Sequence, residues 1–124
     1  MDYQAIAKQF LDQYYSTMSS NRMNLLNFYT DKSCMTYEGD SYKGINKIKD
    51  KLESMGSSTI KYQFDEYDLQ PGAADGSMLI VVIGGMKVDE DQPFQFCQTF
   101  QLLPNGKGGF YLHNDVMRLI YPPS

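Results

Sequence analysis

Four carboxylates in two short segments are the most chemically suggestive groups in the chain. Glu38 directly follows Tyr37, and Asp89, Glu90 and Asp91 are consecutive. Carboxylates placed behind an aromatic or apolar strand end would ring an apolar mouth. Such a mouth suits a partner that inserts an aromatic side chain flanked by Lys or Arg, although acidic turns are commonly just solvated. Catalysis has fewer candidates. The single histidine, His113, sits in an apparent strand, where it is ordinarily structural. Asp115 and Tyr14 would make a proton-shuttling pair in an apolar cone, yet nothing in their spacing brings them together. Cys34 and Cys97 form no C-x-x-C pair and, with one histidine, no metal-ligand spacing. No Gly-x-Gly-x-x-Gly or phosphate loop is present. No cofactor, metal or catalytic residue is therefore expected.

These groups need elements to position them. Asp2 is a helix cap, and behind it Tyr3, Ile6, Ala7, Phe10, Leu11, Tyr14 and Met18 recur at three- and four-residue steps. Ser19-Ser20-Asn21 ends that helix. A short second helix is expected over residues 22–29, then a strand over 33–37, a tight turn at Glu38-Gly39-Asp40 and a brief strand over 41–43. A third helix runs through Met55 with Ile45, Ile48 and Leu52 on one side, and Gly56 stops it. Ile60, Tyr62 and Phe64 alternate with polar residues as in a half-buried strand, and residues 71–76 read as a loop. Residues 77–88 form a long strand whose run Met78–Ile83 is apolar on both faces, so helices should cover one face and a second subunit the other. Gly84-Gly85 predicts a bulge or bend. Strands over 94–103 and 110–121 complete the pattern. Helices early and long antiparallel strands late predict a single α+β domain over residues 1–124. Its strongly bent antiparallel sheet wraps a long N-terminal helix into a cone.

Composition narrows the partners. At 124 residues there is room for one core. Ten Tyr and seven Phe without Trp point to an aromatic core, a wet cavity or an interface. A net charge of −4 disfavours nucleic acid and anionic membrane and favours a basic protein surface. The first residues lack a secretory signal and no apolar run would span a bilayer, so reduced cysteines in a cytosolic or nuclear protein are expected.

Three segments carry a more specific likeness. Residues 33–39 (Ser-Cys-Met-Thr-Tyr-Glu-Gly), 83–91 (Ile-Gly-Gly-Met-Lys-Val-Asp-Glu-Asp) and 114–119 (Asn-Asp-Val-Met-Arg-Leu) resemble the nuclear transport factor 2 family, as does the helical run Phe10–Tyr15. The likeness runs through nearly the whole chain in order. It implies a homodimer that carries the GDP-bound small GTPase Ran through the nuclear pore, found in cytoplasm and nucleus and enriched at the pore. In that family an aromatic side chain of Ran's switch region enters the cavity, and basic neighbours pair with carboxylates at its rim. The matching rim residues are Glu38, Asp89 and Asp91, and the matching wall is Tyr37, Ile60, Phe94 and Met117. Weak contact with phenylalanine-glycine repeats of pore proteins is implied at Tyr3. The family usually carries Trp at the positions of Tyr37 and Tyr3; Tyr keeps the aromatic face but loses area and the indole N–H.

Two other readings use the same fold. One is a cone-fold isomerase or dehydratase acting through Asp115 and Tyr14. The other is a pairing subunit for a larger domain of the same fold, as in messenger-RNA export factors. The carrier reading is preferred, because it uses residues that are present.

Overall fold

Each helix begins and ends where local chemistry permits. In the computed structural model, which describes residues 2–120 (Asp65 by its backbone alone), helix α1 spans Tyr3–Ser20. The Asp2 carboxylate accepts a hydrogen bond from the Ala5 amide at 3.1 Å, satisfying one of the orphan donors of the first turn. The Asn21 N–H closes the other end on the Thr17 carbonyl at 2.9 Å. The predicted stripe is the buried face: Ala7, Phe10, Leu11, Tyr14 and Met18 are joined by Tyr15. The expected second helix is a 3-10 helix, Arg22–Phe28, that buries Leu25. Helix α2, Ile45–Ser54, is pinned through Ile48 and Leu52.

The strands are β1 (Cys34–Tyr37), β2 (Asp40–Lys43), β3 (Ile60–Pro71), β4 (Met78–Val88), β5 (Phe94–Pro104) and β6 (Phe110–Ile120). They form one sheet in the order β2-β1-β6-β5-β4-β3. Four of its junctions are antiparallel, and β1 lies parallel to β6, with Tyr37 opposite Met117. The parallel junction follows from connectivity, because the β3-to-β6 meander returns its last strand beside β1. Strand β3 also takes in Pro71, which the sequence reading gave to the loop; Tyr121, given to the last strand, lies outside the described residues.

The sheet bends at its glycine. Gly84 pairs with Phe64, and the register slips between Phe64 and Glu66, so the bulge sits on the strand facing Gly84-Gly85. A Cβ at Gly84 would stand 2.4 Å from the Gln63 carbonyl oxygen and 2.7 Å from the Phe64 Cα. Only glycine tolerates that approach. The concave face then wraps α1: Ile80, Val82, Met86, Phe96, Phe100, Leu102, Leu112 and Met117 are buried against it. Phe10 and Tyr14 both meet Phe100 edge-on, with ring centroids 5.1 and 4.9 Å apart.

The convex face behaves differently from the prediction for Met78–Ile83. Burial alternates along β4, so Leu79 and Ile83 stay exposed, Ile83 by 49 %. Within the single chain only one face of that strand is covered.

Candidate functional site

Strand direction gathers the predicted residues. The C-terminal ends of β1, β4 and β6 and the N-terminal ends of β3 and β5 lie at one end of the sheet. That places Tyr37 and Glu38, Asp89 and Asp91, Ile60, Phe94 and Met117 around the same end. Ile60 and Met117, expected in a cavity wall, are buried in the core there, whereas Tyr37 and Phe94 are half-buried. Glu38 is half-buried, and Asp89 and Asp91 are exposed. Tyr3 is elsewhere. It begins α1, whose other end packs beside residues 56–59, so at ~1.5 Å per residue Tyr3 lies roughly 25 Å along the helix from Ser20.

Two of the three rim acids are held by the backbone. Glu38 and Asp89 are the only non-glycine residues with positive φ among the described residues, at 53° and 51°. Left-handed backbone costs an L-residue on the order of 1–2 kcal/mol, so neighbours must enforce it. The Glu38 N–H donates to the Met117 carbonyl at 3.0 Å, and the Leu119 N–H donates to Glu38 Oε1. Asp89 makes a reciprocal pair with Thr59: its N–H donates to the Thr59 carbonyl at 2.7 Å, and the Thr59 N–H donates to Asp89 Oδ1 at 2.8 Å. Each carboxylate is thus oriented through one of its oxygens. Glu90 differs, standing 4.0 Å from the Lys87 ammonium.

Deeper in the cone lies a polar cluster whose parts were not connected by the sequence. Asp115 is 1 % exposed. Its Oδ2 accepts from Tyr29 at 2.7 Å and Tyr14 at 3.1 Å, and its Oδ1 accepts from Gln98 Nε2 at 2.8 Å. Tyr15 donates to Gln98 Oε1 at 2.8 Å. Burial raises the Asp115 pKa above the usual carboxylate range, against the three hydrogen bonds that favour the charged form. Burial, then the Asp115 charge, pushes the Tyr14 and Tyr29 hydroxyls up as well. Asp115 and Tyr14 do meet, as the enzyme reading required, but both are sealed in and already hydrogen-bonded to each other. A substrate would have to displace the core to reach them. The groove of ≈ 200 Å³ beside the N-terminal half of α1, lined by Ile6, Phe10, Phe28 and Phe110 with Gln9 and Gln13, contains neither. No cluster of His, Cys, Asp or Glu able to hold a metal exists among the described residues. No helix of the described residues is long and apolar enough to cross a membrane.

Sequence reasoning missed Tyr62. Its hydroxyl and the Arg22 Nε are buried without a hydrogen-bond partner among the described residues. Burial, followed by Tyr37 and Asp115, holds the Tyr62 hydroxyl above its ordinary range. Its strand position facing the helices was legible from the period-two pattern; its unmet hydrogen bond was not.

Helix and bent sheet together define a cone-shaped α+β fold with acid-edged strand ends. The Nuclear transport factor 2 (NTF2) domain description matches residues 6–119. Nuclear transport factor 2 of Emericella nidulans is 40% identical over 121 residues, covering 97% of each chain. The solved structure of nuclear transport factor 2 from Cryptosporidium parvum superposes with a TM-score of 0.90 at 34% identity, over 95% of this chain and 94% of that one. A chain of the yeast deubiquitinase Ubp3 and Bre5 cofactor complex superposes with a TM-score of 0.90 at 26% identity, over 98% and 100% of the two chains. The chain therefore belongs to the nuclear transport factor 2 family. The relatives it matches are named as nuclear transport factors, and in this chain the buried Asp115 ties α1 and Tyr29 to β5 and β6 through its hydrogen bonds.

Proposed function

We propose that the protein is a homodimeric carrier of GDP-bound Ran, gripping the GTPase switch region at the acidic end of its sheet. This reading is supported by strand direction, which puts Glu38, Asp89 and Asp91 at the same end of the sheet as Tyr37 and Phe94, and by the backbone amides that orient Glu38 and Asp89. A switch region rearranges with its nucleotide, so a protein that grips it distinguishes GDP from GTP without chemistry of its own. Calorimetric titration with Ran loaded with GDP, and in parallel with a non-hydrolysable GTP analogue, tests it. Micromolar or tighter binding to the GDP form alone is expected; equal affinity for both forms, or binding to neither, defeats the reading.

The convex face supports the dimer. Ile83 (49 % exposed) and Val116 (41 % exposed) flank Cys97 and Thr99 across adjacent strands, with Leu79 and Ile120 also exposed. Contiguous apolar side chains on a sheet face mark an interaction surface. Ile83→Arg should place a charge there and convert a dimer to a folded monomer. Sedimentation of both proteins at micromolar concentration reads this directly, and a wild-type monomer would remove the dimer from the proposal. Contact with phenylalanine-glycine repeats is assigned to Tyr3, half-buried at the far end of α1. Residence in cytoplasm and nucleus, with enrichment at the pore, follows from both contacts.

A further inference from the structure

We infer that Lys51 acts as a built-in competitor at the Ran-binding end, a cation resting on the aromatic face that an incoming basic-aromatic segment must share. This deepens the proposed function and rests on it. The Lys51 Nζ lies 4.7 Å from the Tyr37 ring centroid and 5.8 Å from that of Tyr42, both within the reach at which a ring quadrupole attracts a cation. Helix α2 holds it there, because Ile48, one turn earlier, and Leu52, next in the chain, are buried and fix the helix rotation. None of the ion pairs among the described residues includes Lys51; on the same helix Lys49 faces Glu53 at 3.9 Å instead. The ammonium is therefore directed to tyrosine faces on β1 and β2.

The consequence follows from charge. Tyr37 immediately precedes Glu38, so Lys51 adds a positive charge to an end that carries Glu38, Asp89 and Asp91 together with Arg118, whose guanidinium lies beside Gly39, and Lys87, which faces Glu90. A segment carrying an aromatic anchor between Lys or Arg residues is attracted by those carboxylates and repelled by Lys51, and like charges brought together at an interface weaken association. The lysine stem is flexible, so a tight partner can move the ammonium aside, whereas a weak one meets it in place. Lys51 would thus lower affinity for every basic partner and penalise poorly fitting ones most, a specificity-determining role that neither rim acids nor cavity wall supply.

Lys51→Met keeps the apolar stem and removes the charge. Titration with GDP-bound Ran should show affinity raised roughly three- to tenfold at low salt, with the gain shrinking at high salt as the repulsion is screened. Lys51→Gln should act in the same direction, and Lys51→Arg should match wild type. Lys47→Met removes a charge from the exposed side of the same helix and should change affinity less than twofold. Unchanged or weaker binding in both Lys51→Met and Lys51→Gln overturns the inference while leaving the carrier reading intact, since wild type still binds. An equal gain in Lys47→Met also overturns it, by reducing the effect to net charge. Failure of wild type itself to bind overturns the carrier reading and the role of Lys51 with it.

Discussion

Replacing Asp115 by alanine is expected to destabilise the fold by about 3 kcal/mol, a large effect for one side chain. The deletion removes the acceptor on which Tyr14, Tyr29 and Gln98 converge, leaving them only the longer contacts of the Tyr14 hydroxyl with Tyr29 at 3.4 Å and with Gln98 Nε2 at 3.3 Å. Each unmet donor costs about 1–3 kcal/mol, and these share a network, so the losses do not simply add. Asp115→Asn should behave differently. Its carbonyl can take the two hydroxyl hydrogens, but Gln98 can turn to accept from its amide only by giving up the hydrogen bond from Tyr15, so a loss of about 1–2 kcal/mol is expected, smaller than for alanine. Urea unfolding of the three proteins at neutral pH gives the comparison. If alanine and asparagine cost the same, the hydrogen-bond account is wrong and simple volume governs the site.

The same pair of proteins reads the titration of Asp115. Its folded pKa is raised by burial, so in the window above the ordinary carboxylate value the folded state holds a proton that the unfolded state has lost. Stability from this group is fully present below the unfolded pKa and is lost as pH rises through the folded pKa. Asparagine has no such dependence. The stability of wild type relative to Asp115→Asn should therefore fall as pH rises above the ordinary carboxylate value and through the raised folded pKa, then level off. A difference that grows with pH would mean that the three hydrogen bonds outweigh burial.

What the sequence made legible was local. The stripe from Ala7 to Met18 and the alternation from Ile60 to Phe64 announce their elements, because one helical or strand period repeats within a few residues. The parallel pairing of β1 with β6 was hidden, since nothing in Cys34–Tyr37 distinguishes a neighbour before it from one eighty residues later. The buried cluster was hidden for the same reason: Tyr14, Tyr29, Gln98 and Asp115 come from four elements or connections, and only the closed cone brings them together. The acids were legible as types, following aromatic or apolar strand ends. The positive φ of Glu38 and Asp89 was not, because it depends on Met117, Leu119 and Thr59. The covering of Met78–Ile83 was half legible: the apolar run demanded two covered faces, and the chain alone supplies one.

Glu38 offers the largest expected effect on binding, and its geometry dictates which substitution isolates it. Glu38→Lys should abolish association with GDP-bound Ran, since it replaces an attractive partner with a like charge at an interface where truncating one member of a buried pair costs about 2–5 kcal/mol. It also removes the acceptor of the Leu119 N–H, so some loss of stability, about 1 kcal/mol, accompanies it. Glu38→Gln separates the two roles. Its side-chain carbonyl still accepts from Leu119, and its backbone can still take the positive φ, but the charge is gone. Affinity should fall at least about tenfold, corresponding to roughly 1.4 kcal/mol, while the unfolding midpoint stays with wild type. The loss should be felt most at low salt, where an unscreened charge pair contributes most. Asp91→Asn supplies the contrast, because Asp91 is exposed and its carboxylate has no such structural bond among the described residues; its effect should be on binding alone and smaller, as for a charge at the solvated rim. Full affinity in Glu38→Gln would show that Glu38 serves only to tie β1 to β6. The grip would then have to come from Asp89, Asp91 and the aromatic pair Tyr37 and Phe94.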